Sequence, residues 1–164
     1  KNLFFLNKYE IQKYLDTINI IDDYTILKRY PSSLDIKIKK TNFLANVYKD
    51  GRIFFIGSNK KLIETNIQIK ELPNIFGKFN KQSFFELLDT FKDSEFEISE
   101  IKNFYYFKSK RWDIETNSGI LIKLPKDNLK NSLNLSLDII SNDKSGKIRI
   151  LDLRLTNQVI INEE

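Results

Sequence analysis

The chain has 164 residues, 41% hydrophobic and 30% charged, which fits one globular domain or two small ones and excludes a disordered chain. It contains no Cys, His or Met, so thiol nucleophiles, disulfides, Cys-type zinc sites and His-based acid–base catalysis are all excluded. The net charge of +5 is uneven: residues 1–82 carry 15 basic and 8 acidic side chains, residues 83–164 carry 12 and 14.

Asn7 followed by Glu10 has capping-box spacing, and Ile11, Leu15 and Ile18 recur with helical period, which predicts a helix over about 8–17. Residues 24–30 are β-prone and Pro31-Ser32-Ser33 is a turn signal. Leu34, Ile36 and Ile38 alternate with Asp35, Lys37 and Lys39, the pattern of a half-buried strand. Asp50-Gly51 between two apolar runs predicts a hairpin of strands 43–49 and 52–57, with Lys60 to Glu64 continuing the sheet.

Leu72-Pro73 and Gly77 read as irregular structure. Phe84, Leu87, Leu88 and Phe91 form one helical stripe, and Leu129, Leu133, Leu137 and Ile140 form another. Between them, Phe96 to Phe107 reads as extended, and Trp112 to Leu124 reads as a hairpin turning at Asn117-Ser118-Gly119. The chain closes with a strand over 147–155, a turn near Thr156-Asn157 and a last strand over 158–162. The fold class is α+β: a small α/β unit over 1–64, then a larger, mainly antiparallel β domain with two helices over 65–164.

Few clusters carry chemistry. Asp22-Asp23 reads either as half of a metal site or as a helix-to-strand connector, and it lacks the Asp/Asn company that a hard cation needs. Five scattered glycines make no phosphate-cradling loop. The Asn134-Leu135-Ser136 sequon falls inside a predicted helix. Phe104, Tyr105, Tyr106, Phe107 and Trp112 beside Lys108, Lys110 and Arg111 read either as a base-stacking platform or as a strand pair with a core face, and the acidic balance of that half favours the core. Only five of the 27 basic residues are Arg, so the surplus is lysine, the weaker reader of nucleic-acid edges. In Lys147 to Ile161, Asp152 and Arg154 share one strand face among apolar neighbours, so both charges need partners: each other, or for Arg154 the carboxylate of another chain.

Four collinear segments resemble one family. Ile150-Leu151-Asp152-Leu153-Arg154 is similar to the I-D-L-R strand of the bacterial cell-division family FtsQ/DivIB. Leu27 to Ile38, reading Leu-Lys-Arg-Tyr-Pro-Ser-Ser-Leu-Asp-Ile-Lys-Ile, resembles its V-x-R-x-W-P-x-x-L-x-I-x-V signature, with Tyr30 in place of Trp. Leu72-Pro73-Asn74-Ile75-Phe76-Gly77 resembles its L-P-x-L-x-G. Arg111-Trp112-Asp113-Ile114, Asn117 to Gly119 and Leu124-Pro125 resemble its R-W-D-L…N-G…L-P hairpin in the alphaproteobacterial form.

The resemblance implies a non-enzymatic division scaffold with no cofactor, metal or nucleic acid. It implies the periplasmic part of a single-pass inner-membrane protein, whose N-terminal transmembrane helix and first POTRA strand and helix lie outside this sequence. The 1–64 unit would be the rest of the POTRA unit, where other divisome proteins dock. The FtsB–FtsL pair would add a strand beside the last one, because a terminal strand has unpaired backbone groups. The residues that match the family's partner site are Arg111, Arg154, Leu155, Asn157 and Val159, with Leu155 where the family often has Tyr and Asn157-Gln158 where it has Gly or Arg. The alternatives are a POTRA-type polypeptide-binding module and a basic domain for nucleic acid or an anionic surface.

Overall fold

The computed structural model describes residues 7–155 and 158–163. It begins with α1 (Lys8–Asp16), started by Asn7, whose side chain accepts a bond from the Tyr9 amide at 3.0 Å. A two-stranded antiparallel sheet follows, β1 (Ile21–Arg29) and β2 (Ser33–Lys40). Leu15 of α1 packs on Ile21 and Ile26 in a small separate core. The alternation in β2 predicts a half-buried face, but α1 reaches only as far as Leu34. Ile36 and Ile38 remain 39% and 51% exposed.

The rest is one nine-stranded sheet. Its strands in chain order are β3 (Phe43–Lys49), β4 (Arg52–Gly57), β5 (Leu62–Thr65), β6 (Asn74–Phe76), β7 (Ile101–Tyr106), β8 (Trp112–Thr116), β9 (Leu121–Lys123), β10 (Ile148–Asp152) and β11 (Ile160–Glu163). Their spatial order is β11-β10-β9-β8-β7-β6-β3-β4-β5. The expected division at 64/65 does not match this topology: β3, β4 and β5 belong to the same sheet as the later strands, and the change of sheet falls at Thr41-Asn42. The joint is β6, three residues long and parallel to both β3 and β7. The Leu72-Pro73 segment read as irregular leads directly into it.

Asn46, fully buried in β3, fastens that joint. Its side-chain amide donates to the carbonyls of Ile69 and Leu72 at 2.8 and 3.1 Å, and its carbonyl accepts the Ile69 amide at 3.1 Å. A buried amide with every group matched is stable only in this arrangement, so it fixes the loop that carries β6.

Register puts Val47, Ile75, Phe104, Ile114, Ile122 and Leu151 in one row across the sheet, all buried. Two helices cover that row, α2 (Lys81–Asp93) and α3 (Leu129–Asn142). The stripe Phe84, Leu87, Leu88 and Phe91 of α2 is buried as its spacing predicts, each side chain contributing about 2 kcal/mol by leaving water. Phe104 and Trp112 belong to this core and Tyr106 packs on it, whereas Tyr105 stacks on Phe76 and Phe107 stays 40% exposed, so the run is split between packing and surface and makes no single stacking platform. The Asp50-Gly51 hairpin turns as expected, with both residues at positive φ (49° and 74°).

The small N-terminal sheet is tied to the large one by amide bonds. Asn59 donates to the carbonyls of Asn19 and Ile21 at 2.9 and 3.0 Å, and Asn19 donates to Leu62 at 2.9 Å. Asp22, one of the acidic pair, meets Lys39 at 3.1 Å, and the Asp23 carboxylate accepts the Tyr24 amide at 2.8 Å. Both residues lie inside β1, not in the helix-to-strand connector that the sequence suggested. No group of three or more potential metal ligands occurs among the described residues, and none of their helices is long and apolar enough to cross a membrane.

Candidate partner-binding edge

Among the described residues, β11 is the terminal strand of the large sheet and pairs only with β10, Asp152 opposite Ile160, Leu151 opposite Ile161 and Ile150 opposite Asn162. Parity decides which of its backbone groups are free. The Leu153 amide donates to the Lys123 carbonyl of β9 at 2.9 Å. Alternation then turns the backbone groups of Leu151 toward β9 and those of Ile150 and Asp152 toward β11. Their opposite numbers, Ile160 and Asn162, face β10, which leaves the N–H and C=O of Ile161 directed out of the sheet. The side chains of Ile160 and Ile161 are 48% and 43% exposed.

Beside this edge lies an open cavity of about 620 Å³ between the start of α3 and the end of β10. Pro125, Leu135, Leu153, Leu155 and Val159 supply its apolar wall, and Lys126, Asp127 and Arg154 its charges. Leu155 is 54% exposed. Three of the residues matched to the family's partner site, Arg154, Leu155 and Val159, therefore meet at one place. Asn157 lies outside the described residues.

Val159 differs from expectation. The last strand was expected over 158–162 but runs Ile160–Glu163, and Val159 packs against the main core instead of sitting in the ladder. The outward donor is therefore that of Ile161. Ile160, Ile161 and Leu135 were not singled out in the sequence, although the run Val159-Ile160-Ile161 near charged residues was a visible apolar signal.

The two arginines are joined by an ionic row. Asp113 of β8, Lys123 of β9 and Asp152 of β10 stand side by side across three strands. Arg111 bonds Asp113 through Nε at 3.0 Å and lies over the Phe107 ring at 4.6 Å. Arg154 grips Asp152 through Nε at 2.7 Å and through Nη2, and its backbone amide donates to the same carboxylate at 3.1 Å. Three cations share two buried carboxylates. The Arg154 bonds hold the Asp152 carboxyl below the usual carboxylate range, with Lys123 adding to the effect, and Asp152 in turn raises Arg154. Arg154 meets its own Asp152 first. Its Nη1 has no partner among the described residues and its side chain is 42% exposed, so a second carboxylate can dock on the outer side. Arg111, only 19% exposed at its side chain, reaches the same row but not the cavity.

Residues 39–154 match the family model described as cell division protein FtsQ/DivIB, C-terminal. The protein named cell division protein FtsQ from Bradyrhizobium diazoefficiens is 25% identical, covering 98% of this chain and 48% of that protein. One of the same name from Rhizobium radiobacter is 23% identical over 86% of this chain and 69% of its own length. A third, from Agrobacterium fabrum, is 23% identical over 86% of this chain and 46% of its own length. The chain spans about half the length of the first of these relatives. Among solved structures, the major extracytoplasmic domain of the trans isomer of the division protein DivIB from Geobacillus stearothermophilus aligns with a TM-score of 0.45 and 15% identity, over 65% of this chain and 98% of that one.

Proposed function

The chain belongs to the FtsQ/DivIB family of bacterial cell-division proteins, and from that premise we propose that it is a non-catalytic scaffold that captures its partners by strand addition along β11. The partners are the FtsB–FtsL pair of division proteins, and the site lies on the periplasmic side of the inner membrane, the chain being held there by a transmembrane helix upstream. The observation that carries the reading is the outward-facing backbone of Ile161 on a terminal strand. An added strand gains main-chain bonds there, its side chains reach the Pro125–Leu155–Val159 cavity, and Arg154 offers a site for a carboxylate. α1, β1 and β2 are, in this reading, part of a POTRA-like unit on which other division proteins dock.

Ile161→Pro tests the reading. Proline removes the outward N–H, which no bond among the described residues uses, so thermal melting should stay within a few degrees of the parent. Affinity for the partner pair should fall at least tenfold, read by calorimetry or surface capture. Unchanged affinity would exclude β11 as the docking edge. Selectivity for one partner pair over arbitrary extended peptides distinguishes the scaffold from a general polypeptide-binding module.

A further inference from the structure

A second groove lies on the helix-covered face of the sheet, between β3, β5 and the segment leading into α2, with a volume of about 480 Å³. Its floor is apolar, made by Val47 of β3, Leu62 of β5 and Phe79. Its rim is basic: Lys49, Lys78 and Lys81 line it, all exposed, against one carboxylate, Asp50. Lys60 stands beside the rim, its carbonyl accepting from Lys81 Nζ at 3.0 Å and its ammonium over the Phe85 ring at 5.1 Å. None of these four lysines has a carboxylate within ion-pair distance among the described residues. By contrast, Arg29, Lys39 and Arg52 are paired with Asp35, Asp22 and Glu64. Four of the fifteen basic residues of 1–82 thus meet around an apolar hollow, with Asp50 on its rim and Asp89 within electrostatic reach of Lys60 alone.

The wall of the groove is fixed. Gly77 sits at φ 101° where a Cβ would collide with the Tyr106 carbonyl oxygen, so the backbone before Phe79 presses directly on β7. The Phe79 ring lies 5.7 Å from Trp112 and 6.0 Å from Phe84, which holds it as a floor and not as a loose flap.

We propose that this groove docks an acidic peptide segment that places an apolar side chain between carboxylates. The apolar residue covers Val47, Leu62 and Phe79, and the carboxylates take Lys49, Lys78 and Lys81. A phosphate polymer fits less well: ammonium groups lack the bidentate fork, and an apolar floor offers it nothing. A flat membrane surface cannot reach the floor of a concave groove. β3 lies six strands from β11, about 29 Å along the sheet at about 4.8 Å per strand, so an occupant here and a strand on β11 bind without clashing. The site is independent of the β11 proposal.

The test uses the isotope-labelled 164-residue chain and a synthetic peptide with one phenylalanine between runs of glutamate. Saturable amide shifts are expected at Val47, Lys49, Gly77 and Phe79, with the indole signal of Trp112, the single tryptophan, moving through its contact with Phe79. Lys78→Glu with Lys81→Glu should weaken binding at least tenfold while leaving melting and partner capture by β11 unchanged, since both side chains are exposed. Replacing the glutamates by glutamine, or the phenylalanine by glycine, should also cost at least tenfold. Shifts spread over all surface lysines, no saturation, or equal affinity for polyglutamate, an oligonucleotide or anionic vesicles would overturn the proposal.

Discussion

Replacing Asn46 by leucine is expected to destabilise the fold by about 3 kcal/mol or more, because each buried polar group left unmatched costs about 1–3 kcal/mol. Asn46 is fully buried, and besides its three backbone bonds it donates to the Asn74 side chain at 3.3 Å. Leucine would leave the Ile69 amide and the Ile69 and Leu72 carbonyls without these partners. The damage is also topological. β6 joins the β3–β4–β5 part of the sheet to the β7–β11 part, and Asn46 anchors the loop before it. Urea denaturation should show a lower midpoint, and a loss below about 1 kcal/mol would contradict the anchoring role.

Phe84→Ala is expected to cost about 3–5 kcal/mol, the range for emptying an aromatic site in a close-packed core. The Phe84 ring is fully buried and touches the rings of Phe79, Phe85, Phe104 and Trp112 at 5.7–6.0 Å. Few small side chains surround it, so the gap cannot close by collapse. The fluorescence of Trp112 should change along with the lowered urea midpoint. A cost near 1 kcal/mol would mean that α2 is held elsewhere along its stripe.

Local signals made the helices and hairpins legible. Asn7 and Asn80 cap α1 and α2 through side-chain bonds to the second following amide, and apolar residues at i, i+3, i+4 and i+7 set the buried face of α2. The Asp50-Gly51 turn fixed both boundaries of β3 and β4, since only such residues accept two successive positive φ angles easily. β6 was not legible. Three residues give no period, and a parallel partner is supplied by distant chain, not by a turn. Asn46 was equally silent, because one amide in an apolar strand has no spacing to mark it.

The site divides the same way. That Asp152 and Arg154 share a face follows from their spacing of two. That Arg111 joins them requires β9 to stand between β8 and β10, a long-range pairing. That the outward donor belongs to Ile161 and not to Val159 was not legible, because it depends on where β11 begins, and Val159 packs on the core one residue before the ladder starts.

If β11 is an open seam for another chain, amide hydrogen exchange reads it at single-residue resolution. In the free protein the Ile161 amide should exchange quickly while those of Ile160 and Asn162 are slowed by their bonds to β10. On adding the FtsB–FtsL pair, Ile161 should become protected by at least tenfold. Protection of Ile161 before any partner is present, or no change on binding, would contradict the account.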